Sequence, residues 1–313
     1  MSQLNYQIRP NKAVDRLAFM DVLRRLDRRE RLADYTYHSL GGPYLEDFRS
    51  LYDVDENIRM VSIETDAEVI KRQKFHLPCR HLRLRRTDLH SFIAQYQSRD
   101  RKSIFWLDYM RLAYADLADF EALLSKVAVN SVVKITLRSR SADYLRPEQV
   151  ESFKQEFAAL LPDPNAAPPS SKEGFARLVQ TMVRVAAQRA FPGTNPFAYQ
   201  PLCSFFYADA TPMLTVTGIV CRRVDRAEIR DHFADWPFAS LHWASPKRIA
   251  VPVLTTKERL YLQDFLPARQ SSGRTLRRAL GYRIDEDPTE SNEMFKQYAT
   301  FHRYSPYYMR GIP

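Results

Sequence analysis

Between residues 35 and 140 the sequence alternates β-favouring runs with amphipathic, helix-length segments, and at 203–220 two β-favouring runs follow one another with no helix between them. "DYTYHSL" is rich in aromatic and β-favouring residues, and "PYLEDFRSLYDV", which follows it, has helical spacing with Pro43 where a first helical turn accepts proline. "RMVSIET", "HLRLRRTD", "KSIFWLDY" and "SVVKITLRSR" read as further strands, and "DAEVIKRQKF", "LHSFIAQYQS" and "DLADFEALLSKV" as the helices between them. Strands separated by helix-length segments imply βαβ units and a mostly parallel sheet, because a parallel neighbour needs a crossover connection. The later pair, "CSFFYA" and "MLTVTGIV", flanks a short turn from Asp209 to Pro212 and reads as an antiparallel hairpin.

The rest of the chain is organised around this block. "AVDRLAFMDVLRRLDRRERL" predicts an amphipathic helix in an N-terminal segment, residues 1–34. The main domain then spans 35–222. Within it, residues about 142–200 read as a helical insertion, with a proline-rich loop at 161–171 followed by the helical run "KEGFARLVQTMVRVAAQRAF". Residues 223–313 form a mainly helical C-terminal extension with aromatic loops and the tail "FHRYSPYYMRGIP".

Composition narrows the class. With 313 residues, 45% of them apolar, the chain can bury a substantial core. No apolar run approaches the roughly 20 residues that span a bilayer, and "MSQLNYQIRPNKAVDR" lacks the apolar region of a secretory signal. Cys79, Cys203 and Cys221 form neither a CxxC pair nor an even disulfide set. These features predict a cytoplasmic protein with no membrane segment. His76, His81 and His90 share no ligand spacing with a cysteine or acid cluster, so no metal site is expected. The formal net charge is +10, and ten of the basic residues fall between Lys71 and Lys102 against only Asp88 and Asp100. Such a segment can form a face for nucleic acid or for an acidic protein, or simply be solvated.

Five β/α units closed by an antiparallel hairpin, carried here by residues 35–222 and ending in "SFFYADATPMLTVTGIV", resemble the class I S-adenosylmethionine-dependent methyltransferases. The chain is also similar to an uncharacterised bacterial O-methyltransferase family. The resemblance implies an α/β, Rossmann-like, seven-stranded, mostly parallel sheet and S-adenosylmethionine as cofactor. The hairpin speaks against a dehydrogenase built on the same first half.

On this resemblance the turn "HSLGGPYLEDF" stands where the family carries a G-x-G-x-G-like loop. Gly41 and Gly42 can supply a tight bend and close backbone approach to a ligand, although the full glycine pattern is missing. Glu64 ends the second strand, 23 residues after Gly41, where Rossmann-like sites keep an acceptor for ribose hydroxyls; its other reading is a loop acid. The resemblance implies a contact from Asp88 to the adenine amino group, whereas its position alone equally suits the start of the next helix. Asp108 closes the fourth strand in "IFWLDYM" and is the candidate for catalysis or donor contact; "LDY" is similar to the DPPY signature of amino-methylating enzymes, without the prolines. His38 is a weaker catalytic candidate, either a general base or a structural strand-end histidine. Tyr109 and Trp106 read as packing.

Two functions follow. One is a methyltransferase of unknown acceptor. The other is a catalytically degenerate, methyltransferase-like module that binds a nucleotide or a partner, for example within a bacterial phage-defence system.

Overall fold

The computed structural model describes residues 9–97, 101–267 and 273–305. In chain order the elements are α1 (Pro10–Asp27), β1 (Thr36–Ser39), α2 (Glu46–Tyr52), β2 (Arg59–Glu64), α3 (Ala67–Phe75), β3 (Arg83–Arg86), α4 (Leu89–Gln95), β4 (Ser103–Asp108), α5 (Tyr114–Lys126) and β5 (Val132–Arg138). They continue with α6 (Pro147–Phe157), α7 (Lys172–Ala190), β6 (Phe197–Ala208), β7 (Pro212–Arg222), α8 (Arg226–Phe233), β8 (Lys247–Ile249), α9 (Thr256–Gln263), α10 (Gly273–Leu280) and α11 (Pro288–Phe301).

The strands form one sheet in the order β3-β2-β1-β4-β5-β7-β6-β8. β1 pairs parallel with both β2 and β4, β2 with β3, and β4 with β5. β7 runs antiparallel to β5, with Thr136 opposite Thr215. The expected α/β architecture and its terminal hairpin are therefore present. The expected count of seven strands is exceeded by β8, whose three residues carry no periodicity long enough to read from sequence. A second difference lies before α2. That helix begins at Glu46, not at Pro43, because Leu45 adopts a left-handed conformation (φ 53°) that a right-handed helix cannot contain.

The sheet's inner strands are buried, while the edge strand β3 reads "RLRR" with three exposed arginines, a charged edge that resists pairing with another chain. One large core cluster joins Phe105 and Leu107 of β4, Val133 and Ile135 of β5, Leu117, Phe120 and Leu124 of α5, and Val179, Met182, Val183 and Ala186 of α7. Phe153 and Phe157 of α6 belong to the same cluster. The stretch read as an insertion at about 142–200 thus supplies the β5–β6 crossover and covers one face of the sheet. Its apolar residues recur at helical spacing on α7 for this reason.

The chain divides into two compact units. The larger comprises Met20–Phe206 and Thr211–Lys247; the smaller comprises residues up to Phe19, Tyr207–Ala210 and the chain from Arg248 onward. The smaller unit has its own apolar cluster of Leu254, Leu262, Leu276, Phe295 and Tyr298.

Candidate functional site

The strand order reverses at β1, which is flanked by β2 on one side and β4 on the other. In open α/β sheets ligands bind beyond the carboxyl ends of the strands at such a point. The five singled-out residues that follow or end β1–β4 all belong to that rim: Gly41 and Gly42 after β1, Glu64 ending β2, Asp88 after β3 and Asp108 ending β4.

The β1–α2 turn is held from three sides. Gly42 has φ of 54°, a conformation that favours glycine, and its carbonyl accepts a 2.9 Å hydrogen bond from Gln73 Nε2 of α3. Gln73 is fully buried and takes a 3.3 Å bond from Ser62 Oγ of β2. A Cβ on Gly41 would collide with Leu45, and would come within 2.7 Å of Ser62 Oγ and 2.9 Å of the Phe48 ring. The space left by the missing side chain is therefore filled by α2 and β2.

Glu64 is half-buried at the end of β2. Its Oε1 accepts from the Thr65 N–H (2.7 Å) and the Asp66 N–H (3.0 Å), so the carboxylate is pinned to its own turn. Among the described residues Oε2 accepts no hydrogen bond, which leaves one acceptor available. Asp66, not Glu64, caps α3, accepting from the Glu68 and Val69 N–H groups. Asp88 is exposed, and its side chain accepts from Ser91 N at 2.8 Å as the cap of α4. The Ser91 backbone N–H, followed by the Ser91 hydroxyl, holds the Asp88 carboxyl below the ordinary carboxylate range.

His38 projects to the opposite side of β1 from Tyr37, whose hydroxyl donates to Asp47 at 2.6 Å. The imidazole lies flat on Phe105 (centroids 4.4 Å apart, 14° between planes), with Phe92 and Tyr96 each at 5.5 Å. Its Nδ1 is buried without a hydrogen-bond partner among the described residues. Burial in this aromatic cage pushes its pKa from 6.5 down to about 3. Such an imidazole is neutral near pH 7 but a weak proton acceptor.

Asp108 is half-buried and stands opposite Thr136 of β5. Trp106 and Tyr109 are buried, as the packing reading expected, whereas the buried Lys134 of β5 and Asp116 and Asp119 of α5 were given no role in the sequence. Lys134 is 1% exposed, with its ammonium 4.1 Å from the Trp106 ring centroid, and Trp106 donates to Thr136 Oγ1 at 2.9 Å. Tyr109 donates to Asp119 Oδ2 at 3.2 Å, and Asp119 Oδ1 lies 2.6 Å from His90 Nδ1. Burial, reinforced by Asp119, raises the Tyr109 phenol well above its usual range. Arg111 clasps the buried Asp116 through Nε at 3.2 Å and Nη2 at 3.1 Å. The available signals were a lysine inside the apolar run "VVKITL" and two acids three apart on the apolar face of α5.

The basic segment presents Lys71, Lys74, Arg80, Arg83, Arg85, Arg86 and Arg101 as exposed residues. Phe75, among them, is 86% exposed. Arg72 instead stacks on Tyr44 at 4.9 Å, and Lys102 pairs with Glu30. Arg99 and Asp100 lie outside the described residues, as does the tail from residue 306. Among the described residues no group of three or more histidines, cysteines or acids could hold a metal, and no helix is long and apolar enough to cross a membrane.

A family model described as "Putative O-methyltransferase" matches residues 4–312. No curated protein matches the sequence. Among solved structures the chain is similar to the N-methyltransferase NodS from Bradyrhizobium japonicum, with 10% identity over 67% of this chain and 97% of that one at a TM-score of 0.40. It is also similar to the plantazolicin methyltransferase BamL, with 10% identity over 69% of this chain and 88% of that one at a TM-score of 0.44. A probable spermidine synthase from Corynebacterium glutamicum gives 13% identity over 75% and 79%, at 0.41. The strand order, rather than these distant likenesses, defines the fold.

Proposed function

We propose, from the premise that this chain belongs to the family described as "Putative O-methyltransferase", that it transfers a methyl group from S-adenosylmethionine to an acceptor oxygen at the carboxyl ends of β1, β2 and β4. The observation that carries the reading is Glu64, a carboxylate pinned through one oxygen at the rim beside the β1 turn, with the other oxygen available. A ribose diol offers two hydroxyl donors to such an acceptor. The bound donor would supply an electrophilic methyl group on a positively charged sulfur.

The chain's own residues would do the rest. Glu64 holds the ribose, and Gly41 and Gly42 keep the β1 turn close to it. Asp88 accepts from the adenine amino group. Asp108 orients the acceptor hydroxyl and takes its proton as the oxygen attacks. Positioning and exclusion of water contribute most of the acceleration in such a displacement, so few ionisable groups are needed. The exposed cations of residues 71–102, with Phe75 among them, suit an anionic macromolecular acceptor or partner.

The β1 turn favours a second reading, a degenerate module that no longer turns over. The Gly42 carbonyl is engaged by Gln73 and the Gly41 surface is covered by Leu45 and Phe48, so the glycines already serve packing. Calorimetric titration with S-adenosylmethionine and S-adenosylhomocysteine, beside NAD, separates the readings. Binding of the two sulfur nucleosides and not of NAD is expected for the enzyme; absence of all three leaves the module.

A further inference from the structure

The smaller unit contains a cavity of about 710 Å3 lined by Arg274, Arg277, Arg278 and Arg283 together with Tyr282 and Asn292. The volume lies within the roughly 300–1,000 Å3 of small-ligand sites. Among the described residues no carboxylate lines it.

The local sequence explains how these groups converge. α10, "GRTLRRAL", turns Leu276 into the apolar cluster with Phe295 and Tyr298 of α11, and its arginines remain outside that cluster. Gly273 lets the start of α10 approach α11 closely: a Cβ there would collide with the Asn292 carbonyl and come within 2.7 Å of the Lys296 nitrogen. Arg277 Nη1 donates to Asn292 Oδ1 at 3.1 Å, which fixes its guanidinium across the two helices. Gly281 (φ 82°) ends α10 with its N–H on the Arg277 carbonyl at 3.0 Å, and the chain turns back to bring Tyr282 and Arg283 to the same cavity. The Tyr282 hydroxyl donates to Glu258, so a ring that is 48% exposed is nevertheless held in place. Arg274 and Arg278 are exposed and have no ion-pair partner among the described residues.

We propose that this cavity binds the phosphate and base of a nucleotide. Four like charges around one cavity repel one another, and a phosphate relieves that repulsion. Guanidinium forks match phosphate oxygens two at a time, and a fixed, half-exposed phenol ring offers a face for a base. A free nucleotide and an exposed nucleotide of an RNA strand present the same chemistry. The cavity's residues belong to the smaller unit, and those assigned to the methyl-donor rim belong to the larger one.

The test uses the full chain, with ATP, a fluorescein-labelled single-stranded RNA ten-mer and a poly-glutamate peptide as probes. The double variant Arg274→Ala/Arg278→Ala changes only exposed side chains, and Arg278→Glu provides an independent charge reversal. Lys172→Glu, an exposed residue of α7 on the other unit, is the control. Nucleotide binding weakened by about tenfold or more in both arginine variants, and retained in the lysine control, supports the site. Displacement of the RNA by ATP then identifies a free nucleotide as sufficient, and RNA binding without ATP binding identifies a strand. Affinities for both ligands within about twofold of wild type in the arginine variants, loss confined to the lysine control, or poly-glutamate bound as tightly as RNA would each overturn the proposal.

Discussion

His38→Phe isolates the energetic consequence of keeping an imidazole neutral inside an aromatic cage. The replacement keeps a flat ring against Phe105, Phe92 and Tyr96 and removes a buried Nδ1 that has no partner among the described residues. Near neutral pH the variant should therefore be about as stable as wild type or more so, since no hydrogen bond is lost. The difference emerges in acid. Unfolded His38 takes a proton below pH 6.5, whereas folded His38 resists it until about pH 3. Unfolding thus takes up a proton in that window, and the wild type loses stability as pH falls from 6.5 toward 3. Each pH unit inside that window costs about 1.4 kcal/mol, so the wild type should lose roughly 2–3 kcal/mol more than the variant between pH 7 and pH 4.5. Denaturant unfolding followed by tryptophan fluorescence reads this directly, because Trp106, Trp236 and Trp243 all lie in the larger unit with His38. Parallel pH profiles for the two proteins would refute the assignment of a cage that excludes the charged imidazole.

Three further outcomes follow from the larger unit. Gly41→Ala forces a methyl group against Ser62, Phe48 and Leu45 and should destabilise the protein by about 1–3 kcal/mol in chemical unfolding, whereas Gly193→Ala, with open space around it, should cost almost nothing. Charge-removing substitutions at Lys71, Lys74 and Arg85 should flatten the dependence of RNA binding on salt, read by fluorescence anisotropy across ionic strengths; an unchanged slope would reduce this face to a solvated surface. Asp108→Asn should lower methyl transfer far more than it shifts the unfolding midpoint, and equal loss of both would assign Asp108 a structural role.

What the sequence disclosed and what it hid divide along physical lines. Continuous apolar runs such as "KSIFWLDY" and "SVVKITL" announce strands buried on both faces, and those strands formed nearly where expected. Asp66 before "AEVIKRQ" announced a helix cap, because the cap bonds lie within three residues. The function of Gly41 was hidden, since its close neighbours come from Phe48 on α2 and Ser62 on β2, and no local pattern encodes that approach. Asp119 and His90 meet across 29 residues of chain, and Gln73 reaches Gly42 across 31. Pairings of that range depend on how helices settle on the sheet. α10 lies in a stretch expected to be mainly helical but was not singled out there, because eight residues with three arginines carry too short an apolar stripe to register.

The central claim, a methyl-donor rim anchored by Glu64, is tested most directly by the dissociation constant of S-adenosylhomocysteine for wild type and Glu64→Ala. The wild type should bind, and the variant should bind more weakly by about 1–3 kcal/mol, the usual cost of leaving ligand hydroxyls without their acceptor. Wild-type binding that Glu64→Ala leaves unchanged would contradict the account.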